Sequence, residues 1–249
     1  MTQQPVQIRR TAATQGWRWI VGGFAIFRAN PLMWFAFVLT LFLLVQLVAY
    51  VPFFGAVLML LYPVLIAGLM SGCHDVENGR PLQATHLIAG FWRDPLQLCT
   101  LGAIYLIGQI LTMWLMVAIG GEELLILLEG DPDRLDADVV ASAFGKLMLA
   151  LLVGTLVSLP LLMAIWFSPL AVAFGKLRAL PAMKASIIAC WKNMLPLFVY
   201  GLVLLALMVV AMIPFGLAAG QANPGIWFVM PFVLPSVYVS YRDIFRAAD

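Results

Sequence analysis

The side chains able to do chemistry in this 249-residue chain gather in a few places. The densest is Cys73-His74-Asp75, with Glu77 just beyond and His86 a short stretch further on. Thiolate, imidazole and carboxylate are zinc-ligand types, but adjacent Cys and His share one ion poorly and the spacing fits no zinc pattern. The expectation here is a solvated connection without metal. Ser71 precedes His74 by three residues, and a serine nucleophile needs a base within hydrogen-bond reach. Placed at a helix end, the pair makes no catalytic constellation. Gly68 and Gly72, spaced four apart around Ser71, read instead as a close-packing helix face. Asp131, Asp133, Asp136 and Asp138 offer calcium-type oxygens, yet the glycine and closing glutamate of a calcium loop are missing. HExxH, CxxC and a phosphate-cradling glycine loop are absent. The residues therefore give no catalytic, metal or cofactor-binding set.

The elements that would hold these residues are membrane spans. Of all residues 63% are apolar and 10% charged, against about 25% charged in soluble domains. The apolar residues fall in long runs at 31–50, 53–72, 95–119, 144–174, 195–219 and 224–241. About 20 helical residues cross a hydrocarbon core, and barrel-type alternation is lacking. The fold class is an all-α polytopic membrane protein with six transmembrane helices, in one integral domain covering 1–249. Span interiors hold no ionisable residue, which disfavours ion-coupled transport. Gln46 and Gln109 are the strongest intramembrane polar candidates, each able to bond a neighbouring helix. The fourth run exceeds a straight crossing, so Pro160 and Pro169 are expected to kink it.

Basic residues set the direction. Arg9, Arg10, Arg18, Arg28, Arg80, Arg93, Lys176, Arg178, Lys184, Lys192, Arg242 and Arg246 all fall on one side of such a chain, twelve of 14. The positive-inside rule then puts both termini in the cytoplasm. The loop 120–143 is acidic and periplasmic, with a short helix expected over Glu122–Glu129. No cleavable leader is expected, because Arg18 and Arg28 bracket the first apolar stretch closely. Cys73, Cys99 and Cys190 lie near the inner ends and read as packing thiols without disulfides.

One phrase recurs: FRANPLMW at 27–34, FWRDPLQL at 91–98 and CWKNMLPL at 190–197. In each copy an outward span opens near Pro31, Pro95 or Pro196. The returning spans carry Pro63, Pro169 and Pro235 shortly before their inner ends. These six prolines are hinge or packing candidates. Upstream of each phrase lies an amphipathic stretch: Trp17, Ile20, Val21, Phe24 and Phe27 share one helical face, as do Ala84, Leu87, Ile88 and Phe91. Leu180, Met183, Ile187 and Trp191 make the third stripe. With Arg18, Arg28, Arg93, Lys184 and Lys192 as interfacial basic residues, these read as cytoplasmic helices lying in the membrane interface. The unit is three hairpin repeats, at about 16–73, 81–178 and 180–243. Convergence is the alternative, since proline at helix starts and Trp or Arg at interfaces are generic.

The runs GWRWIVGGFAIFRANPLMWF, LLYPVLIAGLMSGCHDVENG and HLIAGFWRDPLQL resemble an uncharacterised family of six-span proteobacterial inner-membrane proteins. The layout is also similar to membrane domains found beside some glycerophosphodiester phosphodiesterases. The resemblance implies a fold and an inner-membrane location, and carries no functional residues. Together these observations point to a non-enzymatic accessory, assembly or lipid-organising protein. Its partners would be membrane lipids, other membrane proteins or a second copy, and not nucleic acid. The alternative is a channel or uncoupled transporter for a small or amphipathic solute.

Overall fold

The computed structural model describes residues 7–48, 50–51, 53–129, 137–215 and 224–246. Strand β1 (Gln7–Ile8) leads into α1 (Gln15–Ala29), α2 (Pro31–Leu47) and α3 (Phe54–Glu77). Two 3-10 turns, Ala84–Leu87 and Ala89–Trp92, precede α4 (Pro95–Glu129), α5 (Ala137–Trp166) and α6 (Ser168–Ala173). The chain ends with α7 (Ala179–Lys192), α8 (Met194–Met212), α9 (Pro224–Ile244) and β2 (Phe245–Arg246). Helix is what an apolar chain adopts when its backbone groups have no water to bond.

Among the described residues four helices are long and apolar enough to cross a membrane: Phe54–Glu77, Pro95–Gly121, Phe144–Ala173 and Met194–Phe215. α1 and α2 qualify together as a fifth, bent by 104°. The sixth run of sequence, α9, does not meet that measure; it contains Pro231 and Pro235 and ends in polar residues. α4 breaks at Gly121, whose φ of 65° is open to glycine, and helix continues to Glu129. Asp131, Asp133, Asp136 and most of the 219–225 turn lie outside the described residues.

The repeated phrase has one structural meaning. Asn30, Asp94 and Asn193 each stand at the break before an outgoing helix, and each backbone carbonyl accepts that helix's first bond. Trp34 N–H donates to Asn30 at 3.2 Å, Leu98 N–H to Asp94 at 3.1 Å and Leu197 N–H to Asn193 at 3.0 Å. Asn and Asp are common at this position; Asp94 Oδ1 accepts from the Gln97 N–H at 3.4 Å, whereas neither asparagine side chain caps its helix. The shared landmark is thus the cap residue. Proline follows it within the first turn, where a missing N–H costs nothing.

The three preceding segments each divide into a buried and an exposed side. In α1 the buried residues are Gly16, Trp19, Ile20, Gly23 and Ile26, while Trp17, Val21 and Phe24 point outward. The second segment is a pair of 3-10 turns instead of an α-helix; it buries His86 and Gly90 and exposes Ile88, Phe91 and Trp92. α7 buries Ala182, Ser186 and Ala189 and exposes Leu180, Ile187 and Trp191. Small residues face the bundle on α7 and share that side with Trp19, Ile20 and Ile26 on α1, while most of the large stripe residues face out. Lipid is as apolar as leucine, so close packing decides which face turns inward.

These inward faces meet the returning helices. α1 packs on α9 and α8, the 3-10 turns on α3, and α7 on α5 and α6. A Cβ on Gly90 would stand 1.9 Å from the Val64 carbonyl oxygen, beside Pro63. One on Gly23 would stand 2.6 Å from Ser236, beside Pro235. Strand β1 pairs antiparallel with β2, Gln7 opposite Arg246, so the two ends of the chain close the arrangement. The buried core lies at this end, and the far halves of the helices expose Leu39, Leu43, Ile107, Ile110, Leu156 and Leu205.

Candidate functional site

The polar residues singled out by spacing are knitted together at the core end. His86 is 8% exposed, so the solvated connection expected there is instead a packed one. Its Nδ1 accepts from the Gln83 N–H at 2.9 Å and its Nε2 lies 3.0 Å from Asp75 Oδ2, fixing the Nε2–H tautomer. Arg80 pairs with the same carboxylate at 3.3 Å. The Tyr238 hydroxyl donates to Glu77 at 2.9 Å, so at 3.1 Å His74 Nδ1 is its donor. His74 Nε2 then accepts from the Asn78 amide at 3.3 Å. Arg242 pairs with Glu77. All four imidazole nitrogens are engaged, and Cys73 is fully buried. Among the described residues no group of three or more His, Cys, Asp or Glu is placed to hold a metal ion. The cluster ties α3 and the first 3-10 turn to α9.

A second device sits where α5 gives way to α6. The Ser186 hydroxyl of α7 accepts from the Phe167 N–H at 3.0 Å and donates to the Met163 carbonyl at 2.6 Å. Those are the two groups that would bond each other in an unbroken helix. Serine is spliced into the ladder, and the helix turns there, two residues before Pro169. The Cys190 thiol stands 3.7 Å from the same carbonyl, and burial pushes its pKa up to about 12 against a smaller lowering by Ser186. Pro160 lies within continuous α5.

Asn193 closes the third device. It is fully buried; its side-chain oxygen accepts from Thr11 N–H at 2.8 Å and Thr11 hydroxyl at 3.1 Å. Its amide donates to Arg9 carbonyl at 2.9 Å and Ala189 carbonyl at 3.0 Å. The capping asparagine thereby straps the N-terminal segment down.

The remaining candidates add no polar partner to these clusters. Pro63, Pro169, Pro196 and Pro235 are buried, as are Gly68 and Gly72, whereas Pro31 and Pro95 are exposed. Gly68 and Gly72 face the first 3-10 turn through His86. Gln46 is exposed on α2, and the Gln109 amide donates to Tyr105 of its own helix at 2.7 Å. Arg18, Arg28, Arg93, Lys184 and Lys192 are all exposed, beside the outward apolar stripes. Arg93 also lies 5.6 Å from the Phe174 ring centre, a cation–π distance.

Crevices open between the described helices. One of about 320 Å³ separates α5 from α8 and is walled by Leu159, Leu162, Met163, Trp166, Phe198 and Leu204. One of about 470 Å³ lies among α2, α3, α4 and α5, with Tyr62, Tyr105 and Trp166. A third, about 360 Å³, runs between α4 and α5 and is the most polar, with Gln109, Thr155 and Ser158.

A helical bundle with apolar flanks, a basic rim and no assembled metal or catalytic cluster among its described residues now has a counterpart among known proteins. A probable inner membrane protein of Burkholderia thailandensis is 30% identical over 98% of this chain and 96% of its own length. The chain belongs to that protein's family. As a member, it is a helical membrane protein matched to its relative along nearly its whole length. No family model and no solved structure matches it, so the likeness in layout to phosphodiesterase-associated membrane domains rests on sequence alone. The inward role of Ser186 and Asn193 was not read from sequence. A buried polar residue inside a basic-aromatic phrase was the available signal for Asn193; Ser186 gave none.

Proposed function

We propose that this is a non-enzymatic, lipid-organising protein of the bacterial inner membrane, built as six spans in three hairpin repeats with both termini cytoplasmic. The observation that carries the reading is the rim. Three times an outward stripe of large apolar residues stands beside exposed basic ones: Trp17 and Phe24 with Arg18 and Arg28; Phe91 and Trp92 with Arg93; Leu180 and Trp191 with Lys184 and Lys192. Aromatic rings and basic heads of this kind settle at headgroup level, and anionic headgroups attract each basic residue by about 1 kcal/mol. The backbone bond shared by the three cap junctions supports the repeat, and the β1–β2 pairing supports termini on a common side. α9, 21 residues with Pro231 and Pro235 inside it, is then a sixth span.

The test is purification in native membrane lipid followed by mass spectrometry of what stays bound. Selective retention of lipids is expected; recovery with only bulk lipid removes the reading. Reporter fusions at the C-terminus check orientation, with cytoplasmic activity expected. The polar lining of the α4–α5 crevice favours the runner-up, uncoupled passage of a small solute. Solute flux into protein-bearing liposomes, abolished by Gln109→Leu, is its signature.

A further inference from the structure

We infer that the corner where the start of α4 meets the α6–α7 turn binds a phosphomonoester, with Arg93, Lys176 and Arg178 as its cations. This rests on the lipid-organising reading and names the ligand chemistry of one place on the rim. Convergence, uncompensated charge and a strained lysine carry it.

Two contacts bring the residues together. The Arg93 guanidinium lies 5.6 Å from the centre of the Phe174 ring, and Lys176 follows that ring closely in the turn. The Gln97 side chain, in the first turn of α4, accepts from the Ala179 N–H at 2.8 Å, next to Arg178. That bond also occupies the first amide of α7, so side-chain charge is what would hold an anion here. The turn itself is tied down, with Phe174 N–H donating to Leu170 at 2.8 Å and Leu177 N–H to Ala171 at 3.3 Å. Arg93, Lys176 and Arg178 are all exposed at its surface.

The chain does not neutralise these charges. Among the described residues none of the three cations makes an ion pair. The Phe174 ring also packs on His74 and Tyr238, but the carboxylates of that knot are committed: Asp75 to Arg80 and His86, Glu77 to Arg242. Asp94 is the carboxylate at this corner, and its Oδ1 accepts the Gln97 N–H at 3.4 Å. Three cations against one carboxylate leave a double positive charge. A phosphomonoester carries about −1.5 to −2 near neutral pH and matches it, whereas a diester carries less. Guanidinium groups also pair with phosphate oxygens through parallel hydrogen bonds.

The lysine adds an independent sign. Lys176 has a φ of 50°, in the left-handed region where glycine is at ease and a side chain is strained. Backbone demand alone is met best by glycine, so a lysine held there is kept for its ammonium. Strained residues of this kind gather at ligand sites.

The test uses the full chain in nanodiscs of equal phosphatidate, phosphatidylglycerol and phosphatidylcholine, with retained lipid weighed by native mass spectrometry. Inorganic phosphate is titrated calorimetrically against the same protein in detergent. Wild type is expected to retain phosphatidate over phosphatidylglycerol. Arg178→Gln should lower that preference about fivefold. Lys176→Gly should lower it equally while melting no lower than wild type, because it removes the charge and relieves the backbone. Changing Arg93, Lys176 and Arg178 together to Gln should abolish the preference, and the single variants decide if that protein does not fold. Lys192→Gln, elsewhere on the rim, should leave it unchanged. Phosphatidate retention without phosphate binding assigns a lipid headgroup. Phosphate binding lost in Arg178→Gln, without any lipid preference, assigns a soluble phosphoester. Folded Arg178→Gln and Lys176→Gly proteins with wild-type preference and phosphate affinity overturn the site. A loss as large in Lys192→Gln overturns it as well, since diffuse charge then suffices. Wild type that retains both anionic lipids equally over phosphatidylcholine and binds no phosphate overturns the site but leaves the rim organising lipid. Wild type that retains no lipid selectively and binds no phosphate brings down both this inference and the reading beneath it.

Discussion

Removing the Ser186 hydroxyl tests the packing logic of the whole bundle. In Ser186→Ala the Phe167 N–H and the Met163 carbonyl lose the group that joins them at 3.0 and 2.6 Å, in a site where Ser186 and Phe167 are fully buried. A buried polar group left unpaired costs about 1–3 kcal/mol. The Met163 carbonyl retains a weak contact with Cys190 at 3.7 Å, so the amide bears most of the loss. Hydrogen bonds within membrane proteins average nearer 0.6 kcal/mol because the helix finds other partners. The expected destabilisation is therefore about 1–2 kcal/mol. Ser240→Ala is the matched control: it is equally buried, but its hydroxyl donates only to Val237 of its own helix at 2.8 Å. That change should cost about 0.5 kcal/mol or less, by the same averages. Equilibrium unfolding in mixed micelles measures both. Amide exchange at Phe167 gives the local reading, with roughly a tenfold acceleration for each 1.4 kcal/mol lost. If Ser186→Ala is no less stable than Ser240→Ala, and Phe167 exchange is unchanged, α5 and α6 close their own ladder and serine is not the joint.

Five further outcomes follow from the geometry. Gly90→Ala should lower stability by about 1–3 kcal/mol or abolish folding, because its Cβ would meet the Val64 backbone at 1.9 Å; Gly201→Ala, with open space, should be neutral or stabilising by up to about 1 kcal/mol, both read by thermal melts in detergent. Asn193→Ala should free the N-terminal segment, seen as faster proteolysis near Arg9 and Arg10, since four hydrogen bonds end on that side chain. Cys190 should resist maleimide at neutral pH in the folded protein and react on denaturation, because burial holds it as a thiol. The same shift gives a pH sign: the unfolded thiol ionises near 9 and the folded one only near 12, so stability should fall as pH rises through that window, and Cys190→Ser should flatten the fall.

Membrane character and helix positions were legible because they depend on local quantities: run length, charge spacing and cap residues. Asn30, Asp94 and Asn193 mark true helix starts because capping is settled within a turn of chain. The apolar stripes of the preceding segments were read as lying in the membrane interface, and Trp17, Val21 and Phe24 are exposed while Ile20 of the same stripe is buried. Which residues would pack inward was not legible, because the partners of Trp19, Gly23 and Ser186 come from elements far along the chain.

By itself, then, the sequence determined that this chain is a helical membrane protein whose one phrase opens three outgoing helices. Only the tertiary structure decided that the histidines and carboxylates form a packed knot, that a serine hydroxyl replaces a backbone bond, and that the chain's two ends pair. Each depends on residues far apart in the chain meeting at close range, which no local pattern encodes.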